Sequence, residues 1–399
     1  MRLLNQNNLI NFIVLTLSVC ILSNYFLFFF FNTLIIKIII LIFFLTVLLF
    51  FISTKFNFFY LKLTFIVLSV LLLGNPTDAW DGWAVWMFKS KRIYFDKNFY
   101  GFLDNYASYS NNDQPLLIPA LCSSIAFFFG KWNEIFPKLG VFFASFPVLI
   151  YSVNLFKNKW HFIFILFSLY IIANFFINAY LDGLIALYFS FCFLLNFSIF
   201  SSKKINIIEF FHLFLFTTIL SLIKNEGLVL SFLIILQTVI CIFLNNNKII
   251  NYRYVFYLFF SLVPLFFWKL LISVNNISNF HLKNGFDLFF NRIYEFDTYK
   301  IIFLFFINFK FLFILFFSII ASFFLQSLKI KLSIFFSFLY LSVVLTVNLI
   351  SPMDFYWGMS ASFKRILITP TYLMFIIVFF EIYSSKYKNI NFIRKLLPR

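Results

Sequence analysis

The sequence predicts an all-α integral membrane protein of about twelve transmembrane helices (eleven to thirteen), with a long first extracytoplasmic loop that contains short interfacial helices. Hydrophobic residues make up 63% of the 399 residues and charged residues only 11%. Because soluble proteins carry about 25% charged residues, this composition excludes a water-facing globular protein. Apolar runs long enough to cross a hydrocarbon core of about 30 Å as helices recur along the chain, without the alternation typical of a membrane barrel.

The apolar runs define the spans in chain order. One further apolar segment, residues 116–130, is too short to span and has Pro115 and Pro119 at its start, so we expect it at the outer interface. The predicted spans are residues 8–31, 34–52, 58–74, 139–156, 162–179, 183–200, 210–223, 228–244, 254–274, 301–325, 332–350 and 366–383.

The distribution of charge orients these spans. Basic residues in the short connections fall on one face, which the positive-inside rule assigns to the cytoplasm together with both termini. These residues are Lys55, Lys157, Lys159, Lys203, Lys204, Lys248, Arg253, Lys329 and Lys331, with the tail 386–399. All acidic residues except Glu209 and Glu381 fall on the other face. Anionic lipid headgroups account for the net charge of +17, so we expect membrane lipids and no nucleic acid as partners.

The chain is then one polytopic domain, residues 1–399, whose working face is extracytoplasmic. That face consists of a large loop, residues 75–138, and two smaller ones, residues 275–300 and 351–365. Four single cysteines lie in apolar segments, and the three histidines are too scattered for a metal site.

The first outer loop combines carboxylates with aromatic and basic residues. Asp78 and Asp81 share one face if the segment is helical. A carboxylate at a dry interface accepts a proton from a hydroxyl, and a nearby cation neutralises a phosphate. The alternative is an interfacial tryptophan belt with snorkelling lysines. The accompanying residues are Trp83, Trp86, Lys89, Lys91 and Arg92.

Three other outer positions carry charge beside apolar spans. Asp182 lies between two spans, where an acidic residue more often lines a polar cavity than faces lipid. Lys224 and Glu226 either belong to a site or only neutralise each other. Arg365 in the last outer loop presents a fork suited to phosphate, against the positive-inside trend. Lys269 and Lys310 lie inside apolar spans and are interpreted as snorkelling side chains.

These segments together resemble the GT-C superfamily of membrane glycosyltransferases, in particular the bacterial relatives of protein O-mannosyltransferases and aminoarabinose transferases. The stretch DAWDGWAVWMFKSKRIYF resembles the family's first outer loop, and NNDQPLLIPAL resembles the segment that heads an interfacial helix. NAYLDGLIALYF resembles the second outer loop, while LIKNEGLVL and WGMSASFKRILITP complete the pattern.

The resemblance implies a transferase of a bacterial inner membrane that moves a sugar from a polyprenyl-phosphate-linked donor to a glycan, lipid or protein acceptor, with inversion. It makes Asp81 the leading catalytic carboxylate, with Asp182 as the second and Asp78 beside them. The implied donor pocket holds basic residues for the phosphate and further lining residues. These are Lys89, Lys91, Arg92, Lys224 and Arg365, with Trp83, Trp86, Asp113 and Glu226.

The sequence also departs from the family. It has no Asp-x-Asp pair, Gln114 stands where some relatives have a basic residue, and no large soluble domain follows the helices. The motifs therefore imply no certain cofactor, and dependence on a divalent cation stays an open alternative. Two other functions remain as alternatives. One is a polysaccharide polymerase or ligase, and the other is a flippase for lipid-linked oligosaccharides.

Overall fold

A computed structural model describes residues 6–30, 32–53, 58–104, 107, 110–156, 159–201, 205–244, 248–277 and 285–396. It is 85% helical, and its described residues form no strand. Eight described helices are long and apolar enough to cross a membrane, or ten if each of two bent pairs counts as one span. The all-α membrane fold is thus confirmed, whereas the number of twelve spans stays a prediction. Of the residues that orient the spans, Lys55, Lys157, Lys203 and Lys204 lie outside the described part, as do residues 278–284 and 397–399.

The chain divides into two compact units. Unit 1 comprises Met1–Asn154 and Leu169–Phe280, and unit 2 comprises Leu155–Ser168 and His281–Arg399. The first thirteen α-helices are α1 Gln6–Leu27, α2 Thr33–Ser53, α3 Phe59–Gly74, α4 Phe88–Asp96, α5 Leu117–Phe129, α6 Leu139–Phe143, α7 Phe146–Leu155, α8 Lys159–Ile177, α9 Asp182–Ser201, α10 Ile207–Ile223, α11 Asn225–Leu244, α12 Lys248–Phe260 and α13 Val263–Val274. The others are α14 Gly285–Tyr294, α15 Phe296–Phe306, α16 Phe309–Leu325, α17 Leu328–Ile350, α18 Phe355–Gly358, α19 Lys364–Ile366 and α20 Ile368–Leu396. Two π-helices, Asp81–Met87 and Met359–Phe363, precede α4 and α19, and 3₁₀ turns occupy Tyr100–Asp104 and Phe136–Lys138.

Helix α9 lies at the centre of unit 1 and packs against α10 and α11. It is apolar on all sides, which is typical of a helix surrounded by protein, and 94% of its most apolar stretch within residues 182–200 is buried. The side-chain amide of Asn196 crosses to α11, where it donates to the Ile234 carbonyl oxygen at 2.9 Å and to the Thr238 hydroxyl at 2.8 Å. These hydrogen bonds fix the position of α9 along α11.

Two predicted spans are broken rather than continuous. Residues 254–274 form α12 and α13, which meet at 41°. Pro264 opens α13 and cannot donate the hydrogen bond that would continue the preceding helix. Residues 301–325 form the end of α15 and α16, with a bend of 75° between the two helices. Asn308 lies at that bend, and its side chain accepts the Phe311 amide to begin α16.

The short apolar segment after Pro115 forms α5, which is shorter than a span as predicted. Its residues from Leu117 to Phe127 are all buried, against α1, α2, α4 and α6. A helix lying on the membrane surface leaves one face free, whereas this one is enclosed by protein. Residues 75–138, the predicted first outer loop, therefore contain a helix that is buried in protein.

Unit 2 joins two of the predicted outer loops through Arg292 of α14. Its guanidinium donates to the carbonyl oxygens of Asn348 and Leu349 at the end of α17, and to those of Ser351 and Met353 beyond it. These contacts satisfy carbonyl groups that a helix end leaves without partners.

Candidate functional site

The segment of Asp81 contacts the loop that leads to Asp182. Asp81 begins the first π-helix and is half-buried. A Cβ atom at Gly82 would overlap the carbonyl oxygen of Asn178, so a glycine is needed for this close approach. The Asn178 loop turns through Ala179, whose φ is 56°, and Asp182 then begins α9. The two predicted carboxylates therefore stand on neighbouring segments of unit 1.

A tight turn presents Asp113 before α5. The Gln114 amide donates to the Asn111 carbonyl oxygen at 3.0 Å and closes the turn. The Lys89 ammonium donates to the same oxygen at 2.7 Å. Asn111 has a φ of 53°, a conformation that asparagine tolerates better than most residues. The turn is thus fixed from the side of α4.

Residues of α11 and α13 also contact Asp113. The Asn225 side-chain amide donates to Asp113 Oδ2 at 2.7 Å, and the Asn225 backbone amide donates to Gln114 Oε1 at 2.7 Å. The Lys269 ammonium lies 3.6 Å from Asp113 Oδ2 and donates to the Asp113 carbonyl oxygen at 2.9 Å. Trp268 Nε1 donates to that carbonyl oxygen at 3.3 Å. We name Lys89, Asp113, Asn225 and Lys269 the Asp113 group.

A second set of charges adjoins the first through the start of α11. The Lys224 ammonium lies 3.2 Å from Asp182 Oδ1 and 3.0 Å from Glu226 Oε1. Asp182 is buried, and it lies in the first turn of α9, where the helix dipole favours a negative charge. We name Asp182, Lys224 and Glu226 the Asp182 group.

The break between α10 and α11 brings the Asp113 group and the Asp182 group together, and we call the two groups jointly the polar cluster. Lys224 is extended, with φ of −159° and ψ of 161°, and is the single residue between the two helices. A Cβ atom at Gly227 would overlap the Leu220 carbonyl oxygen, so the first turn of α11 packs directly on the backbone of α10. Lys224 and Glu226 then reach Asp182, while Asn225 reaches Asp113.

Lys89 belongs to this cluster but is fully enclosed. Burial lowers its pKa from 10.5 to about 7, with Asp113 opposing and Lys269 adding to the shift. Its ammonium also lies 5.1 Å from the ring of the buried Trp86. Its ammonium donates to the Asn111 carbonyl oxygen, and the expected contact of Lys89 with a donor phosphate stays a prediction.

Lys91 and Arg92 lie on α4 but are paired within the outer loop. Lys91 lies 3.4 Å from Glu134, and both side chains are exposed. Arg92 lies 3.0 Å from Asp104 and also donates to the Gly101 carbonyl oxygen. These contacts of the two cations lie within the predicted loop, residues 75–138.

The surroundings of three further predicted residues, Asp78, Trp83 and Arg365, differ from one another. Asp78 is exposed and interacts electrostatically with Lys138. Trp83 is exposed beside Trp80, with their ring centroids 4.9 Å apart. Arg365 belongs to unit 2, where its Nε donates to the Ala361 carbonyl oxygen at 3.0 Å. That Arg365 contributes to the donor pocket stays a prediction.

Sequence reasoning missed Lys269 and Asn225. The apolar pattern predicts a snorkelling side chain for Lys269, yet its ammonium donates to Asn225 Oδ1 at 2.6 Å and contacts Asp113. A signal was present, because an ionisable residue inside an apolar span usually faces a polar interior. Asn225 has a neutral side chain between two charged neighbours, and nothing in the pattern distinguishes it.

The fold and the cluster define an α-helical membrane protein with a buried polar site at the ends of its helices. In the described part of the chain, no group of three or more His, Cys, Asp and Glu side chains is placed to hold a metal ion. Comparison with known proteins finds no match: no family model matches the sequence, and no curated protein or solved structure matches it significantly. The likeness to GT-C enzymes therefore rests on the motifs and stays a prediction.

Proposed function

We propose that this chain is a membrane glycosyltransferase of the GT-C type, which transfers a sugar from a polyprenyl-phosphate-linked donor to an acceptor hydroxyl on the extracytoplasmic side, with inversion. The observation that carries the proposal is the junction of the Asp113 and Asp182 groups at Asn225. Carboxylates and ammonium groups converge there from the ends of apolar helices. Buried charges are costly and in membrane proteins mark functional sites more often than packing.

The two groups suit the two halves of the reaction. The Asp182 group has two carboxylates around one ammonium, and Asp81 lies on the adjoining segment. In our proposal Asp81 takes the proton of the acceptor hydroxyl, whose oxygen forms a bond to the anomeric carbon, and Asp182 orients the acceptor. The bond from that carbon to the phosphate oxygen breaks at the same time. The net positive charge of the Asp113 group stabilises the departing phosphate, and the exposed Trp83 is available to stack on the sugar.

A flippase for lipid-linked oligosaccharides remains the second candidate, because two helix pairs are bent. Broken helices are common in transporters. The second helix of the bent α12 and α13 pair contributes Lys269 to the cluster. The two candidates differ in whether a covalent bond is made.

The test is transfer of radiolabelled sugar from membrane polyprenyl-phosphate donors by the purified full chain. We compare the wild type with Asp81→Asn and Asp182→Asn, and use Glu134→Gln, an exposed acidic residue of the same loop, as the matched control. We expect Asp81→Asn to lower transfer by about 100-fold or more, because general-base catalysis contributes about that factor. Glu134→Gln should leave it unchanged.

Normal expression and thermal unfolding of each variant ensure that lost transfer is not lost folding. Transfer by Asp81→Asn at the wild-type rate would remove Asp81 as the base. Intact movement of lipid-linked sugar across vesicles by a chain that transfers none would support the flippase instead.

A further inference from the structure

Lys269 is the most exposed lysine of the Asp113 and Asp182 groups. Its side chain is 30% exposed, whereas that of Lys224 is 13% exposed. Lys89 is fully enclosed. An incoming anion must bring an oxygen within hydrogen-bond distance of an ammonium, and Lys269 offers the most open one.

Lys269 is also the less neutralised of the two reachable ammonium groups. Lys224 has two carboxylates within 3.2 Å. Among the described residues Lys269 has one carboxylate partner, Asp113, at 3.6 Å, and the same carboxylate oxygen already accepts the Asn225 amide at 2.7 Å. The two short hydrogen bonds of Lys269 go to neutral oxygens, the Asp113 carbonyl and Asn225 Oδ1. Its positive charge is therefore only partly balanced.

The surroundings of Lys269 indicate an anion that carries an apolar chain. The neighbouring residues Phe266, Phe267, Leu270 and Val274 of α13 are exposed large hydrophobic residues. On a helix of a membrane protein such residues contact lipid tails. A ligand that approaches Lys269 along α13 meets apolar surface first and the ammonium after it.

We propose that Lys269 binds the phosphate of a polyprenyl phosphate, and that Asp113 and Asn225 hold its ammonium while the site is empty. This deepens the proposed function and rests on it, because a polyprenyl phosphate is the carrier of the proposed donor. On binding, phosphate oxygens replace Asp113 as the charged partner of Lys269, and Asn225 keeps its bond to the turn.

The test is equilibrium binding of radiolabelled polyprenyl monophosphate to the purified full chain in detergent. Lys269→Met should weaken binding about tenfold or more, because a hydrogen bond between charged partners is lost. Lys269→Arg, which keeps the charge, should stay within about threefold of the wild type. Lys310→Met is the matched control, since Lys310 is an exposed lysine on the apolar helix α16. Wild-type binding by Lys269→Met would overturn the proposal.

A second variant gives an effect of opposite sign and guards against misfolding of the first. Asp113→Asn removes the internal partner of Lys269 and should tighten binding about threefold or more, because the phosphate no longer competes with a carboxylate. Weaker or unchanged binding by a folded Asp113→Asn protein would contradict the exchange of partners.

Competitors identify the source of the phosphate. Unlabelled polyprenyl monophosphate should displace the probe, while polyprenol, phosphatidylglycerol and inorganic phosphate at the same concentration should not. Displacement by inorganic phosphate or by phosphatidylglycerol as strong as by polyprenyl monophosphate would overturn the assignment to a polyprenyl phosphate. The binding assay contains neither sugar nor acceptor and is separate from the transfer assay. If the chain binds the probe through Lys269 but transfers no sugar in the transfer assay, only the proposed function is refuted.

Discussion

The Asp113 and Asp182 groups use the same kinds of side chain in opposite proportions. In the Asp182 group one ammonium, Lys224, lies between two carboxylates. In the Asp113 group two ammonium groups, those of Lys89 and Lys269, act on one carboxylate. The first arrangement leaves an excess of negative charge and the second an excess of positive charge. One cluster thus contains a negatively charged half, which adjoins the segment of Asp81, and a positively charged half suited to bind an anion.

The largest expected difference between the groups is in stability. Lys224→Met should lower the free energy of unfolding by about 3 kcal/mol, because it removes the Lys224 ammonium from the buried Asp182 and the half-buried Glu226. Lys269→Met should cost about 1 kcal/mol, since Asp113 keeps its bond from Asn225.

The measurement is the thermal unfolding temperature of each variant in one detergent. The double variant Lys224→Met with Asp182→Asn should recover part of the loss, because one uncompensated charge is gone. Equal losses for Lys224→Met and Lys269→Met would refute the difference in charge balance.

Gly227→Ala tests the backbone contact that joins the two groups. The added methyl group would overlap the Leu220 carbonyl oxygen, so we expect a loss of about 1–3 kcal/mol and a displaced start of α11. Gly74→Ala is the matched control, because a Cβ atom there meets nothing within 4 Å. Both are compared by thermal unfolding. A neutral Gly227→Ala variant would show that α11 tolerates a shift and that the junction is not fixed by this contact.

The sequence predicted the membrane fold well, because apolar length reports directly on what lipid tolerates. It also singled out Asp113, Asp182, Lys224 and Glu226, which lie in the cluster. The sequence did not predict which way individual side chains point. Spacing alone does not show that Lys89 of α4 is buried while Lys91 of the same helix is exposed.

Sequence spacing also did not predict the bends in the α12 and α13 pair and in the α15 and α16 pair. Lys269 reaches the Asp113 turn from α13, which follows the bend near Pro264, whereas the apolar pattern predicts a span over residues 254–274 without indicating a bend. The bend depends on how Pro264 is packed, and that is a tertiary property.

Lys89 should make stability depend on pH. The folded protein loses this proton near its pKa of about 7, whereas the unfolded chain keeps it to about 10.5. Between these pH values the unfolded state binds more protons, so stability rises with pH by at most about 1.4 kcal/mol per unit, and below them the slope vanishes. Thermal unfolding between about pH 6 and pH 9 should show a smaller rise in Lys89→Met than in the wild type. Parallel profiles for the two proteins would contradict the buried, low-pKa ammonium.

The smallest effect is expected at Lys91, two residues beyond Lys89 on the same helix. The ion pair of Lys91 with Glu134 is 3.4 Å long, and the two side chains are 49% and 65% exposed. Exposed pairs of this kind contribute about 0–1 kcal/mol, because water and salt screen both charges. Lys91→Met should therefore keep the unfolding temperature, its pH profile and the rate of sugar transfer of the wild type. A tenfold loss of transfer would restore Lys91 to the donor phosphate. In that event the positive half of the site would extend from Lys269 into the outer loop, and the division between the Asp113 group and the loop cations would no longer hold.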